Sequence, residues 1–431
     1  MSNSPKSRSY GFETRMIHAG AKPDAVTGAR QTPIFQNTSY VFEDSDHAAS
    51  LFNLQTYGFI YSRLTNPTVA VLEERLANLE GGCGATCCAS GHAAQIMALF
   101  PFMEPGAKVV ASTRLYGGSI TQFGKTFKKF GWETIFVDTD DLEAVKKAIT
   151  NDVRALFVES LANPGGVVSD LEVLAAISHE NNALLVVDNT LATPVLCRPF
   201  EWHADLVVHS LTKFLSGNGT TMGGAVIDSG TVDWSASDKF RGLTDPDPAY
   251  HGISFYETFG DLAYTTYGHT VGLRDLGATL APMNAFLTLL GLETLSLRIE
   301  RHCANAEQVA MFLADHPKVA WVSYAGLAES PYRALCDKYL GGRAGSVLTF
   351  GVKGGYDAGI RVVENVGLWS HLANIGDARS LILHPASTTH RQLTDEQRVA
   401  AGAGDDVIRL SVGLETVEDL ITDLDSALAV G

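Results

Sequence analysis

The chain has 431 residues, of which 45% are apolar, 19% are charged and 9% are aromatic. This composition is typical of a folded protein with a large core, and the length predicts two or three domains. The 32 basic residues stand against 48 acidic ones, so the formal net charge of −16 argues against binding to nucleic acid or to anionic lipid.

The sequence indicates a cytoplasmic protein. The first 15 residues lack the apolar region of a secretory signal, and no apolar run approaches the roughly 20 residues that a membrane span needs. Six cysteines are too few for a disulfide framework, so we expect reduced thiols. The cluster from Cys83 to Cys88 has no second ligand pair at zinc-finger spacing, and its small neighbours indicate a packed turn before a helix. We therefore expect no metal site.

Residues 1 to about 60 are rich in Gly, Pro, Thr, Ser and Asn and show little helical periodicity, apart from a stretch from Asp46 to Leu54. Such a segment cannot form its own core. We expect it to pack against the body of the protein or to reach across to a second subunit. From Pro67 the pattern VAVLEERLANLE predicts an amphipathic helix that ends at Gly81.

Beyond this helix, short apolar runs alternate with helical patterns. Runs such as ALFVE and ALLVVD are apolar on both alternating faces, as strands covered by helices on both sides must be. They predict a mostly parallel α/β sheet with functional groups at the carboxyl ends of its strands. The predicted strands are residues 108–112, 133–137, 155–159, 183–188 and 206–209.

The second half of the chain has a different pattern. Residues 226–280 are rich in aromatic residues, Gly and Asp, and we interpret them as an extended excursion of loops. A long helix is predicted from Pro282 to about His316, and the short strands and helices after it indicate a smaller α+β domain. The predicted division is an N-terminal arm (1–63), a large domain (64–285) and a small C-terminal domain (286–431).

Two of the predicted strands lead to polar groups that suit one cofactor. Asp188 ends one strand, and Lys213 follows the next. Pyridoxal 5'-phosphate (PLP) needs a carboxylate to keep its ring nitrogen protonated and a lysine to form a Schiff base with its aldehyde. From these residues alone, one alternative stays open: Asp188 caps a helix and Lys213 is a surface charge.

Further residues favour the cofactor. The turn Ser90-Gly91-His92 opens a predicted helix, whose free N–H groups could hold a phosphate dianion. Ser210 and Thr212 flank Lys213 and offer hydroxyls to the same phosphate, and Tyr116 could lie on the face of an aromatic ring. Taken singly, these features fit a helix cap and a core aromatic equally well.

Together these motifs resemble the Cys/Met metabolism family of PLP-dependent enzymes, from about residue 12 to the C-terminus. Within the family, the chain most closely resembles the O-acetylhomoserine sulfhydrylases, because further segments match their pattern and the excursion at 226–280 is shorter in the related cystathionine enzymes. The family motifs are at residues 61–68, 90–91, 115–118, 159–164, 187–190 and 209–213. The segments typical of the sulfhydrylases are at residues 250–252, 291–298, 371–377, 384–393 and 409–415.

The resemblance implies the aspartate-aminotransferase-like α/β fold (fold type I), with a PLP-binding large domain around a mostly parallel sheet and a smaller C-terminal α+β domain. It implies that Lys213 is the Schiff-base lysine and proton shuttle. It implies that Asp188 is the partner of the ring nitrogen, and that Tyr116 stacks on the cofactor and assists proton transfer. The other implied cofactor-binding residues are Tyr61 and Arg63 from a neighbouring subunit, Ser90, Gly91, His92, Asn163, Ser210 and Thr212, and the implied substrate-binding residues are Arg409 and Asn374.

The implied reaction is a PLP-dependent γ-replacement. O-acetyl-L-homoserine exchanges acetate for sulfide or a small thiol, which gives L-homocysteine or L-methionine. The implied assembly is a homo-oligomer, a tetramer built from dimers with shared active sites. The alternatives are cystathionine γ-synthase or γ-lyase activity, O-succinylhomoserine sulfhydrylase activity, and a binding protein that has lost catalysis. The joint presence of Lys213, Asp188 and Arg409 disfavours the last of these.

Overall fold

The computed structural model describes residues 10–389, 391 and 402–430. Within this part of the chain, twelve strands form two sheets, one of seven strands and one of five. His390, Gln392 and Leu393, which belong to the sulfhydrylase-like segment at 384–393, lie outside the described residues. None of the described helices is both long enough and apolar enough to cross a bilayer.

Strands and helices are numbered separately along the chain. The strands are β1 (Gly84–Cys88), β2 (Lys108–Ser112), β3 (Glu133–Val137), β4 (Val153–Glu159), β5 (Leu184–Asp188), β6 (Leu206–Ser210), β7 (Gly224–Asp228), β8 (Val319–Ser323), β9 (Val347–Val352), β10 (Ser370–His371), β11 (Leu381–Leu383) and β12 (Val407–Ser411). The α-helices are α1 (Phe12–His18), α2 (Ser45–Phe52), α3 (Pro67–Glu80), α4 (Gly91–Leu99), α5 (Gly117–Thr121), α6 (Leu142–Ala148), α7 (Leu171–His179), α8 (Thr193–Leu196), α9 (Arg241–Thr244), α10 (Phe255–Phe259), α11 (Ala263–Tyr267), α12 (Arg274–Leu276), α13 (Pro282–Glu293), α14 (Leu295–Asp315), α15 (Arg333–Leu340), α16 (Gly355–Asn365) and α17 (Val417–Val430).

The seven-stranded sheet has the order β1-β7-β6-β5-β4-β2-β3. Strands β6, β5, β4, β2 and β3 are parallel, and β7 is antiparallel to both of its neighbours. The carboxyl ends of β4, β5 and β6 therefore meet at one edge. Glu159 and Asp188 are register partners at this edge, and β6 ends beside them at Ser210. The prediction of a mostly parallel sheet is confirmed.

The central strands carry apolar side chains on both faces. In β5, Leu184 and Val186 pack into one core cluster, whereas Leu185 and Val187 pack into the cluster on the other side. Successive side chains of a strand point to opposite faces, so a strand between two helical layers must be apolar throughout. This requirement leaves only the strand ends for polar groups.

Strand β1 corrects one prediction. Residues Gly84–Cys88 form an edge strand rather than only a turn before a helix, and β1 pairs antiparallel with β7 from Gly84 against Asp228 to Cys88 against Gly224. A run of Gly, Ala, Thr and Cys has weak strand propensity, and its partner lies about 140 residues further along the chain. Local pattern therefore does not reveal the pairing.

The excursion at 226–280 also differs from its prediction as loops. It begins with the last residues of β7 and continues as a series of short α-, 3₁₀- and π-helices. An aromatic cluster holds them together: the ring of Trp234 stacks on Tyr264 at 5.5 Å and meets Phe240 edge-on at 5.2 Å. Helices of three to six residues are too short to show a helical period in the sequence.

The structure differs from the predicted helices at two places. Helix α1 was not predicted, and the long helix expected from Pro282 consists of α13 and α14 with a break at Thr294. The predicted boundary between residues 285 and 286 lies inside α13, and the division into domains stays a prediction.

The five-stranded sheet has the order β10-β11-β12-β9-β8 and is mostly antiparallel. In its central strand β12, Ile408 and Leu410 are fully buried in the core. Arg409, between them, points to the opposite face by strand alternation. Helix α14 packs on β8, β9 and α17, so this sheet has its own helical cover.

Helix α3 begins where the sequence predicts. Asn66 is its N-cap, and its Oδ1 accepts hydrogen bonds from the N–H groups of Thr68 (3.0 Å) and Val69 (3.4 Å). Its Nδ2 donates to the Phe35 carbonyl and to Ser62 Oγ, both at 2.9 Å. One buried side chain therefore starts the helix and fastens the N-terminal arm to it.

We predict that Asn66→Ala lowers the free energy of unfolding by about 2 kcal/mol, because it removes a cap and leaves buried groups unpaired. Urea unfolding followed by tryptophan fluorescence measures the loss. Asn365→Ala, at an exposed position near the end of α16, is the matched control. Equal stabilities of the two variants would contradict the role of Asn66.

Candidate active site

A cavity of about 300 Å³ lies at the carboxyl edge of β4, β5 and β6, where residues of both sheets meet. It brings together eleven of the thirteen predicted site residues. Tyr61 and Arg63 are not among the residues that line it. The eleven are Ser90, Gly91, His92, Tyr116, Asn163, Asp188, Ser210, Thr212, Lys213, Asn374 and Arg409.

Asn374 joins the two principal cations of the cavity. Lys213 Nζ donates to Asn374 Oδ1 at 2.6 Å, and Arg409 Nη2 donates to the Asn374 carbonyl at 3.2 Å. Arg409 Nη1 donates to Asn163 Oδ1 at 3.3 Å. Among the described residues, no acidic side chain forms an ion pair with Lys213 or Arg409. The cavity therefore holds two positive groups whose polar contacts there are to neutral amides.

Burial lowers the pKa of both groups. Burial and the positive charge of Arg409 lower the pKa of Lys213, which increases the fraction of neutral amine. Burial lowers the pKa of Arg409 to about 10, so the guanidinium stays charged at neutral pH. One group can take up a proton, and the other is a fixed positive charge.

The turn after Lys213 is hydrogen-bonded by a residue of α14, the helix that packs on the five-stranded sheet. Arg298 of α14 donates to the Phe214 carbonyl at 2.8 Å and to the Gly291 carbonyl at 2.7 Å. Gly217 has φ +73° and leaves space for this guanidinium, since an added Cβ would lie 2.1 Å from Arg298 Nη1. Arg298 thereby fixes the backbone that positions Lys213.

Asp188 is a buried carboxylate at the end of β5. Its Oδ1 accepts the Thr190 N–H at 3.0 Å, and its Oδ2 lies 3.5 Å from Gln95 Nε2, a long contact. Burial raises the pKa of Asp188, and the hydrogen bonds from Thr190 oppose that shift. The carboxylate thus has an acceptor oxygen to spare and would be stabilised by a cation placed against it.

Helix α4 points its first turn at the same cavity. Ser90 caps the helix by accepting the Ala93 N–H at 3.1 Å, while the N–H groups of Gly91 and His92 belong to the first turn and have no partner inside the helix. An added Cβ on Gly91 would lie 2.8 Å from Ser210 Cβ. The turn and β6 are therefore so close that only glycine fits. The Gly91 and His92 N–H groups, which have no hydrogen-bond acceptor among the described residues, lie beside the Ser210 hydroxyl.

Glu159 was not assigned a role from the sequence, although it connects two predicted site residues. Its Oε1 accepts the Tyr116 N–H at 2.7 Å, and its Oε2 accepts the Asn163 N–H at 2.9 Å. Burial and the negative charge of Asp188 raise the pKa of Glu159. Its position at the end of β4, in register with Asp188, is the signal that could have identified it.

Tyr116 is 46% exposed at the cavity, and its ring stacks on His92 with centroids 5.9 Å apart. Gly118 leaves room for this pair, since an added Cβ would lie 2.5 Å from Tyr116 Cε1. One face of the aromatic ring is thus available to a planar ligand.

The two remaining predicted residues lie on the surface. Tyr61 is 42% exposed, and the Arg63 guanidinium lies 5.5 Å from its ring centroid. Arg63 Nη1 donates to the Arg274 carbonyl at 2.5 Å. Their predicted role in a second subunit's site stays a prediction.

Known proteins that are similar to this chain are PLP-dependent enzymes, in agreement with the residues of the cavity. The family model described as Cys/Met metabolism PLP-dependent enzyme matches residues 13–429. An O-acetyl-L-homoserine sulfhydrylase from Thermus thermophilus is 48% identical to the chain, over 97% of this chain and all of that protein. A homocysteine synthase from Schizosaccharomyces pombe is 47% identical, over 97% of this chain and 98% of that protein.

A solved structure is similar throughout. The 2.35 Å crystal structure assigned as an O-acetylhomoserine (thiol)-lyase from Campylobacter jejuni superposes with a TM-score of 0.95 at 43% identity. The match covers 97% of this chain and all of that one, and that protein contains N'-pyridoxyl-lysine-5'-monophosphate. The predicted α/β fold of type I is thereby confirmed.

The cavity of this chain fits PLP on its own chemistry. The free N–H groups of Gly91 and His92 with the Ser210 hydroxyl suit a phosphate, and the spare Oδ2 of Asp188 suits a protonated ring nitrogen. The exposed face of Tyr116 suits the ring. Gln95 Oε1, a buried acceptor without a partner among the described residues, lines the same cavity.

We predict that Glu159→Gln weakens PLP binding about tenfold, because an amide NH₂ would then face one of the two backbone N–H groups that the carboxylate now accepts. Titration of the cofactor-free protein with PLP, followed by absorbance, measures the dissociation constant. Glu180→Gln, on the exposed end of α7, is the control. Unchanged PLP affinity of Glu159→Gln would show that the two hydrogen bonds that Glu159 accepts, from the Tyr116 and Asn163 N–H groups, do not contribute to cofactor binding.

Proposed function

The chain belongs to the Cys/Met metabolism family of PLP-dependent enzymes, and on this premise we propose that it is an O-acetylhomoserine sulfhydrylase. The reaction replaces the acetate of O-acetyl-L-homoserine by sulfide or a small thiol, which gives L-homocysteine or L-methionine. The names of the relatives support the substrate, and the geometry of the cavity supports the role of each residue.

One observation carries the proposal: Arg409 is a positive charge in the cavity without an acidic partner among the described residues, and Asn374 connects it to Lys213. An uncompensated, partly desolvated guanidinium favours an anionic ligand, and a planar carboxylate matches its two-pronged geometry. A substrate held by its α-carboxylate on Arg409 brings its Cα and Cβ protons toward Lys213.

PLP, when bound, supplies an electron sink for negative charge that develops on the substrate carbons. Lys213 would hold the cofactor covalently through Nζ, and its free amine would move the Cα and Cβ protons of the substrate. The lowered pKa of Lys213 favours the neutral amine that this step needs. Asp188 would keep the ring nitrogen protonated by remaining ionised, and Asn163 would offer its Nδ2 to the cofactor, because its Oδ1 accepts a hydrogen bond from Arg409.

The charges of the cavity favour an acetyl ester. Among the described residues that line the cavity, the basic side chains are Lys213, Arg409 and His92. In the proposed roles Lys213 serves the cofactor and Arg409 the α-carboxylate, which leaves no strong cation in this part of the chain for the second carboxylate of a succinyl ester. Tyr116, at the cavity rim, is placed to assist proton transfer to the leaving acetate.

The proposed assembly is a homo-tetramer built from two dimers that share active sites, with Tyr61 and Arg63 reaching the phosphate of the partner subunit. Their exposure and their absence from the cavity of their own chain support this arrangement. A cytoplasmic location is likewise proposed. The six cysteines are free, as expected for a reducing compartment.

Product analysis tests the proposed reaction. The purified protein is given O-acetyl-L-homoserine or O-succinyl-L-homoserine, each with sulfide, methanethiol or L-cysteine. We expect rapid release of acetate with homocysteine from sulfide or methionine from methanethiol. Cystathionine as the principal product, or a preference for the succinyl ester, would contradict the assignment.

We predict that Arg409→Lys raises the KM for the amino-acid substrate about tenfold to 100-fold, because a point charge cannot reproduce two parallel hydrogen bonds. Steady-state kinetics at saturating sulfide measure KM and kcat separately. Arg379→Lys, an exposed arginine paired with Asp377, is the matched control. A normal KM for Arg409→Lys would exclude Arg409 as the carboxylate ligand.

We predict that activity reappears when Arg63→Ala subunits are mixed with Lys213→Ala subunits, each nearly inactive alone. In a shared site, half of the dimers are hybrids and half of their sites contain both residues, so about a quarter of the wild-type activity returns. Native mass spectrometry verifies that subunits have exchanged. Exchange of subunits without recovery of activity would place Arg63 in the active site of its own chain.

A further inference from the structure

The excursion at 226–280 contacts the short turn that carries Tyr61 and Arg63, and the proposed reaction gives this contact no role. We call residues 61–65 the arm turn. The turn is closed by a hydrogen bond from the Leu64 N–H to the Tyr61 carbonyl at 3.0 Å. Its backbone nevertheless leaves the carbonyls of Arg63 and Leu64 free to accept bonds from elsewhere.

Three residues of the excursion bind the arm turn. His269 Nδ1 donates to the Leu64 carbonyl at 2.8 Å, and Thr279 Oγ1 donates to the Arg63 carbonyl at 2.9 Å. The Arg63 guanidinium in turn donates to the Arg274 carbonyl at 2.5 Å. The excursion therefore fixes both the backbone and the side chain of Arg63.

His269 and Arg274 are themselves held in place by neighbouring side chains. His269 Nε2 lies 3.5 Å from the buried Glu73 carboxylate. The Arg274 guanidinium pairs with both oxygens of Asp275, at 2.7 and 3.0 Å, and donates to Tyr250 Oη at 2.8 Å.

Thr279 connects the arm turn to the phosphate-facing turn of the same subunit. It forms a β-bridge with Cys88, and the neighbouring Ala89 N–H donates to the Ala278 carbonyl at 2.8 Å. Cys88 and Ala89 immediately precede Ser90, the cap of α4. The position of the arm turn is therefore tied to the position of the cavity.

We propose that His269, Arg274 and Thr279 form a cradle that positions the arm turn, so that Tyr61 and Arg63 are presented in a fixed geometry to the phosphate site of a second copy of the chain. This inference rests on the proposed shared active site. Tyr61 and Arg63 are exposed and long, and ordering them only on assembly would weaken the contact. The cradle supplies that order in advance, which assigns the excursion a positioning role in cofactor binding.

The test uses two substitutions in the cradle. Thr279→Val keeps the shape but removes the donor to Arg63, and His269→Phe removes the donor to Leu64. We expect each to weaken PLP binding about threefold to tenfold, as for loss of one hydrogen bond, and His269→Asn to restore part of the loss because it returns a donor. Thr258→Val, an exposed threonine on α10 of the same excursion, should leave the affinity unchanged.

The same substitutions are then made in a chain that already carries Tyr61→Phe and Arg63→Ala. If the cradle acts through these side chains, Thr279→Val and His269→Phe lose their effect in this background. An equal effect in both backgrounds would show a general structural role and overturn the cradle.

Hydrogen exchange of the peptide that spans residues 61–65, in the cofactor-free protein, gives a readout without PLP, and faster exchange in Thr279→Val than in Thr258→Val is expected. Exchange at the same rate in both would also overturn it.

Failure of the cradle can be distinguished from failure of the proposed function. If the Tyr61→Phe, Arg63→Ala chain binds PLP as wild type does, the shared site is wrong and the cradle falls with it. If that chain binds PLP weakly but the cradle variants bind normally, the shared site stands and the cradle alone is wrong.

Discussion

Wholly or partly buried charges that have no partner of opposite sign among the described residues are the constraint on which the site depends. Arg409 and Lys213 make their hydrogen bonds in the cavity to neutral asparagines, and Asp188 keeps an oxygen with only a long contact. Removing such groups from water costs free energy that neutral hydrogen bonds offset only in part. A carboxylate at Arg409 and a protonated ring nitrogen at Asp188 would compensate two of these groups, and covalent attachment of the cofactor would remove the ammonium charge of Lys213.

In the seven-stranded sheet, the polar groups of the site are confined to the ends of the central strands. The central strands are apolar on both faces, so Glu159 and Asp188 stand at their carboxyl ends. The second sheet contributes Arg409 from β12, and Arg298 fixes the turn after Lys213 from α14. Both sheets therefore build the site, and neither holds it alone.

The sequence predicts those features that a local pattern records. Strand β5 and its terminal Asp188 follow from a continuous apolar run, and α3 follows from its period and from Pro67. Strand β1 does not, because its stability comes from a distant partner rather than from its own residues. The two hydrogen bonds that Glu159 accepts, from the Tyr116 and Asn163 N–H groups, are likewise not predictable from the sequence, since they depend on loops that only the folded chain brings together. The short helices of the excursion fall below the length at which periodicity can be read.

The central claim is that Lys213 is the lysine to which this enzyme attaches its cofactor. Borohydride reduction of the protein loaded with PLP, followed by proteolysis and mass spectrometry, tests it most directly, because reduction makes the attachment permanent. The account predicts a pyridoxyl phosphate group on the peptide that contains Lys213, and none in Lys213→Ala treated in parallel. A modification on another lysine, with Lys213 unlabelled, would contradict the account.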